Sequence, residues 1–177
     1  NEEANLIGRG LTCDPALATL RDFYVFDLGG GSLECLAFRD RHIAQAVSLQ
    51  LGCVRLTEKF VADPAAPFAE PAASDIPRHT RASVAASGFT FSLPTPAFAV
   101  GTGGTVTSVR AILAARAGTK LELTAPVVTL AQLRNLLAEL GSLSLADRQQ
   151  IPGLPATRAD VFPAALATVI TVAELGG

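Results

Sequence analysis

The chain has 177 residues, of which 49% are hydrophobic and 17% charged. That is enough for one domain with a proper core, and too apolar for a disordered segment. A net charge of −2 and a pI near 5.7 exclude a broad nucleic-acid surface, so any anion must be met locally, by backbone N–H groups, a metal or a few arginines.

In chain order, Ala4, Ile7 and Leu11 have helical spacing, and Asp14-Pro15 reads as a cap with proline at the first helical position, opening a short helix to Leu20. Three strands follow closely: Asp22–Leu28, Leu33–Phe38 and, after the polar Arg39–Arg41 turn, His42–Leu49. Short turns imply an antiparallel meander. Strict alternation in the third strand puts Ile43 and Val47 on one face and Ala44, Ala46 and Ser48 on the other. Gly52–Val61 reads as a helix and Ala62–Ala73, rich in Ala and Pro, as an irregular loop. Ser74 is expected to cap a helix reaching Ser87 and closed by Gly88. Ala97–Val100 reads as a short strand central to the sheet, and GTGGT at Gly101–Thr105 leads into a helix carrying Val106, Val109, Ile112 and Leu113. Thr129 and Gln132 form a capping box for a leucine-striped helix stopped by Gly141. A short helix at Ser144–Gln150 and a last helix over Arg158–Leu175, which Pro163 either kinks or starts, complete an α/β pattern with a mixed sheet.

Cys13, Cys35 and Cys53 are odd in number and widely spaced, with no CxxC and no histidine pair nearby. This argues against zinc and a disulfide framework and for a reducing cytoplasm. No segment reaches the roughly 18–20 uninterrupted apolar residues of a membrane span. The acidic NEEAN opening is no signal peptide, and a chain without Met is expected to be a piece of something longer.

Two glycine loops carry the chemistry. In YVFDLGGGSLE, a strand ends at Asp27 and turns through Gly29, Gly30 and Gly31 to Ser32, with Glu34 on the next strand. Bare glycine N–H groups can line a concavity for phosphate oxygens, and Asp27 is placed to hold a hydrated divalent cation beside them. Alone, this stretch fits a glycine-rich hairpin turn equally well. The second loop follows a strand and opens a helix, which puts free N–H groups and the positive helix end at one point. It lacks the GxxxxGK[ST] of a Walker loop and does not complete GxGxxG. Its plain alternative is a tight turn that needs glycine only for packing. Together, the two loops could clamp a chain of phosphates, with Ser32, Thr102 and Thr105 adding hydroxyls. Arg55, Arg81, Arg110 and Arg158 are candidate phosphate contacts, Arg55 and Arg110 foremost because they follow the glycine loops most closely; each also reads as an ordinary surface arginine.

VFDLGGGSLE, SLQLGCVRLTEKF, VGTGGTVTSV and GLPATRADVFPAALA, in this order, resemble the exopolyphosphatase / guanosine pentaphosphate phosphohydrolase family of the actin-like ATPase superfamily. The resemblance implies an actin-like (ribonuclease H-like) α/β domain over 1–177, the second half of a two-domain enzyme whose first domain is absent here. It implies hydrolysis of terminal phosphoanhydride bonds in inorganic polyphosphate or guanosine pentaphosphate, with Mg²⁺ or another divalent cation. On it, Glu3 of NEEANLI is the general base, and Asp27 and Glu34 are the metal-linked and catalytic acids. Gly29, Gly30, Gly31 and Ser32 match the first phosphate loop, and Gly101, Gly103, Gly104 and Thr105 the second. A homodimer of the full-length protein is one assembly it allows. Two other readings stand beside it: an actin-like ATP-dependent kinase, disfavoured because RADVFPAAL lacks an adenosine-site glycine pair, and a non-catalytic phosphate-sensing domain.

Overall fold

The computed structural model describes residues 17–94 and 97–176. The strands are β1 (Phe23–Leu28), β2 (Leu33–Arg39), β3 (His42–Leu49) and β4 (Phe98–Thr102). They form one mixed sheet in the order β3-β2-β1-β4. The β1–β2 and β2–β3 pairs are antiparallel, and β1 and β4 run parallel. The expected meander is therefore present. Within the described sheet β4 lies at an edge rather than in the centre, because it pairs only with β1.

The β2–β3 turn places both Asp40 (φ 47) and Arg41 (φ 64) in the left-handed region. This is the twist that two-residue hairpin turns require. Beyond the turn the register shifts: Phe38 faces Ile43, but Ala37 faces Gln45. Ala44 is thus the extra residue of a β-bulge. Ile43 consequently sides with Phe38, while Val47 sits opposite Cys35 on the other face. The bulge overturns the expectation that Ile43 and Val47 share a face.

Alternation divides the sheet cleanly. Tyr24, Leu28, Leu33, Cys35 and Ala37 point into the main core with the helices. Phe23, Val25, Leu36 and Phe38 form a smaller cluster on the opposite face, with the Phe23 and Phe38 rings stacked 4.6 Å apart.

Helices α1 (Cys53–Phe60), α2 (Glu70–Ala86), α3 (Gly103–Arg116), α4 (Leu130–Ser142), α5 (Leu145–Arg148) and α6 (Phe162–Gly176) account for the rest, with 3₁₀ turns at Leu121–Leu123 and Ala156–Arg158. Pro163 stands in the first turn of α6, where its missing N–H costs nothing, so it starts the helix rather than kinking it. Buried nearly all round, α6 packs against α1, α2 and α4. Its apolar run is that of a core helix, and among the described residues no helix is long and apolar enough to cross a membrane.

Helix α2 begins four residues before the expected Ser74, at Glu70, with proline in its first turn; Ser74 instead donates to Glu70 Oε1 at 3.0 Å. The capping box of α4 is present as expected, but Gly141 lies inside that helix and its carbonyl accepts from Phe68 N–H at 2.7 Å. The first expected helix and the start of the second lie outside the described residues; of the second, residues 17–20 form a turn in which Leu20 N–H donates to Leu17 O at 3.1 Å, not an α-helix.

Candidate functional site

The sheet register assembles the site. Ser48, Glu34, Asp27 and Thr102 are successive partners across β3, β2, β1 and β4, one polar rung spanning all four strands. Paired residues point to the same face. The rung lies where the parallel strands β1 and β4 end, the position at which α/β sheets open a crevice for ligands.

Glu34 is 3% exposed, and among the described residues its one hydrogen-bond donor is Ser48 Oγ, at 2.8 Å. None of the ion pairs among the described residues reaches it. Beside it, burial holds the Asp27 carboxyl above the ordinary carboxylate range; the Thr102 hydroxyl offsets part of this and the Glu34 charge adds to it. Thr102 Oγ1 itself is buried and has no hydrogen-bond partner among the described residues. The negative charge also reaches Cys35, whose thiol is pushed up to about 12, mainly by burial and then by Glu34.

Two adjacent acids with a hydroxyl at either end form no ion pair with any described side chain. This donor set suits Mg²⁺, which needs one or two carboxylates and draws its other ligands from water and phosphate. It does not suit a protein-only cage: among the described residues no group of three or more His, Cys, Asp or Glu side chains converges.

The first glycine loop is built on α1. Gly29 O accepts from Cys53 N–H at 3.0 Å, and Gly30 O accepts from Val54 N–H at 3.0 Å and Arg55 N–H at 3.3 Å. These carbonyls satisfy the helix's first donors. Each peptide plane holds C=O and N–H in opposite directions. The N–H groups of Gly30 and Gly31 therefore point away from α1, and both are free of acceptors among the described residues. Gly29 N–H, in contrast, is taken by Ser32 O at 3.0 Å. Gly52 makes this packing possible: a Cβ there would overlap the Gly30 and Gly31 backbone.

The second loop ends β4 and opens α3, whose N-cap, Thr102, makes no side-chain cap bond. The first-turn N–H groups are left for another acceptor. Gly103 (φ +82) brings the loop against the first one, since a Cβ there would stand 2.5 Å from Asp27 Oδ1. Arg158 closes over the same helix end. Its Nη2 donates to Thr105 Oγ1 at 3.2 Å, its guanidinium fills the space a Cβ on Gly104 would need, and its Nε is buried without a partner.

The other arginines separate. Arg55 Nε donates to Gly31 O at 3.2 Å, so it borders the first loop. Arg110 Nη2 donates to the carbonyls of Leu121 (3.3 Å) and Thr124 (3.1 Å), which fastens the segment after α3 rather than facing a glycine loop. Arg81 pairs with Glu174. Glu3 lies outside the described residues. Sequence reasoning did not single out Gly52 or Ser48, and it ranked Arg158 behind Arg110. GLPATRADVF held a signal for Arg158, because a 3₁₀ turn at Ala156–Arg158 precedes a buried helix that packs against both helices opened by the glycine segments, α1 and α3.

A mixed sheet with paired glycine loops and acids at its carboxyl edge is an α/β arrangement that opens a crevice at its strand ends. The Ppx/GppA phosphatase family model matches residues 1–175, and the chain belongs to that family. An uncharacterized protein of Streptomyces coelicolor is 33% identical over 138 residues, which make up 76% of this chain and 40% of that protein. The solved Aquifex aeolicus Ppx/GppA phosphatase, type II variant, superposes with a TM-score of 0.74 at 21% identity over 94% of this chain and 54% of its own. An exopolyphosphatase-like protein does so with a TM-score of 0.82 at 21% identity, over 98% of this chain and 56% of its own. The exopolyphosphatase from Cytophaga hutchinsonii gives 0.73 at 22%, over 88% and 50%. At these identities the structural likenesses establish an actin-like fold. The chain spans about half the length of the solved relatives and 40% of the curated one.

Proposed function

We propose that this chain forms one wall of a phosphohydrolase cleft, hydrolysing terminal phosphoanhydride bonds of inorganic polyphosphate or guanosine pentaphosphate. A first domain in a longer chain supplies the opposing wall. The observation that carries this reading is the rung itself: Asp27 and Glu34 lie side by side between two loops, and among the described residues the Gly30 and Gly31 N–H groups have no acceptor and the first turn of α3 has no side-chain cap.

In the reaction water attacks the terminal phosphorus, the bridging P–O bond breaks, and the shortened chain leaves with the bonding electron pair. A base must take the water's proton, and charge on the departing oxygens must be neutralised. Glu3 is the base on this reading, a role resting on the family resemblance of NEEANLI. The Gly30 and Gly31 N–H groups, the first turn of α3, Ser32, Thr105, Arg55 and Arg158 bind and orient phosphate oxygens. Asp27 and Glu34 would hold Mg²⁺, which supplies charge neutralisation on phosphate when bound. A cytoplasmic location belongs to the same proposal; the buried free thiols of Cys35 and Cys53 support it.

Phosphate release from polyphosphate by the full-length protein tests the reading. Turnover should need a divalent cation and fall at least about 100-fold in Asp27→Asn; unchanged turnover in that variant sinks it. The 177-residue chain alone should show little turnover, and robust hydrolysis by it would refute the half-cleft view. Thermal-shift titration with polyphosphate, guanosine pentaphosphate and ATP identifies the substrate by which ligand stabilises, and preference for ATP would favour the kinase reading instead.

A further inference from the structure

We infer that Ser48, on the edge strand β3, is the positioning residue for the Glu34 carboxylate. This rests on the phosphohydrolase reading above, in which Glu34 faces the divalent cation.

Glu34 is almost wholly buried, yet its one donor among the described residues is the Ser48 hydroxyl, at 2.8 Å from Oε1. A carboxylate can turn about its last torsion, and a single charge-assisted O–H···O bond selects one orientation. Binding Oε1 from the β3 side leaves Oε2 as the oxygen available to the Asp27 side of the rung. Asp27 is the β1 partner of Glu34, so an orientation of Glu34 fixed from the β3 side sets which of its oxygens is left for a cation shared with Asp27.

The bulge at Ala44 creates the contact. Without the register shift between Ala37 and Phe38, Val47 would stand opposite Glu34; with it, Ser48 does. Bulges next to functional sites re-aim side chains in this manner. Packing does not account for the serine. Ser48 is exposed on a sheet edge, so no core depends on its volume.

The test uses the full-length protein and two variants, Ser48→Thr and Ser48→Val. Threonine and valine match in shape and both suit a strand, so they differ here only in the hydroxyl. Mn²⁺ alone is the binding probe, followed by electron paramagnetic resonance, alongside kcat and KM for polyphosphate hydrolysis with Mg²⁺. In Ser48→Val, Mn²⁺ binding should weaken about tenfold and kcat fall about tenfold, with KM for polyphosphate held. Ser48→Thr should restore both. Wild-type Mn²⁺ affinity and kcat in Ser48→Val, or equal losses in the two variants, would overturn the assignment. Asp27→Asn is run beside them. If it hydrolyses polyphosphate normally, the phosphohydrolase reading fails and the Ser48 assignment falls with it. If Asp27→Asn is inactive while Ser48→Val is normal, only the assignment of Ser48 fails.

Discussion

Gly103 lies against Asp27: with φ at +82, it leaves room for the carboxylate where any Cβ would stand 2.5 Å from Oδ1. One residue of the second glycine loop thus fits the key acid of the first. Gly103→Ala meets two penalties, a left-handed backbone that alanine resists and a clash with Asp27. We expect a loss of ~1–3 kcal/mol in urea unfolding. Adding Asp27→Ala should recover the part due to the clash and leave the part due to backbone conformation. If the two substitutions add without coupling, the contact is not the cause.

Gly52 makes a comparable claim on the first loop. A Cβ at this N-cap position would overlap the carbonyl of Gly30 and the carbon of Gly31. The helix start or the loop must then move, and the bonds from Cys53, Val54 and Arg55 to the loop carbonyls are strained or lost. Overpacking against backbone costs ~1–3 kcal/mol. Gly52→Ala should lower the urea midpoint by a corresponding amount. Gly31→Ala, whose Cβ meets nothing within 4 Å, should be much milder. Equal effects at the two positions would show that loop flexibility, not the close approach, sets the cost.

Much of this architecture is written in local chemistry. Strand runs closed by Asp27-Leu-Gly and by Gly101-Thr-Gly, the Thr129–Gln132 capping box and the short meander turns are all nearest-neighbour signals. The pairing of Asp27 with Glu34 also follows from the sequence, because a hairpin of known turn length sets its own register. Ser48 escaped because one bulged residue displaces every later partner on β3, and Ala44 carries no mark of a bulge. Arg158 escaped for another reason. It lies 53 residues from Thr105, its hydrogen-bond partner, and only tertiary packing of the segment before α6 brings it there. The same remoteness separates Arg148 from the carbonyls of Pro64 and Ala66, which it holds from a fully buried position. That contact, together with Leu145 N–H donating to Ala65 O at 2.9 Å, fastens the Ala/Pro-rich stretch to α5.

A pH-dependent term comes from Glu174, which joins three helices. Its carboxylate accepts from Arg134 at 2.7 Å and also pairs with Arg81, linking α6 to α4 and α2. The Arg134 hydrogen bond, more than any other influence, holds its carboxyl below the usual value of 4.5. A depressed folded-state value means that the unfolded chain binds the proton more readily. The contribution is therefore present above about 4.5 and lost as pH falls through the lower folded value. Because the pairs are partly exposed, the net worth is small, about 0.5–1 kcal/mol. Glu174→Gln should lower stability by that amount at pH 7 and match the wild type near pH 2, as followed by urea unfolding across pH. A constant difference at all pH values would show that packing, not charge, is responsible.

Arg158 and Arg110 should part company in the same pair of assays. Arg110 spends its guanidinium on the Leu121 and Thr124 carbonyls, so Arg110→Ala should cost ~1–2 kcal/mol of stability and leave KM for polyphosphate unchanged. Arg158 stands over the first turn of α3, with Nη2 on Thr105 Oγ1 and Nε buried without an acceptor. Arg110 and Arg148 also bury an Nε without a partner, so what distinguishes Arg158 is its place at a helix N-terminus, which favours an anion. Arg158→Ala in the full-length protein should raise KM for polyphosphate about 10–100-fold, the worth of a charge-assisted hydrogen bond to phosphate, while Tm changes little. Lysine at 158 should recover the charge but not the forked geometry, and so restore KM only in part. If Arg158→Ala lowers Tm and leaves KM alone, the guanidinium is a strut for the Gly104–Thr105 turn, and phosphate binding rests on backbone N–H groups and Arg55.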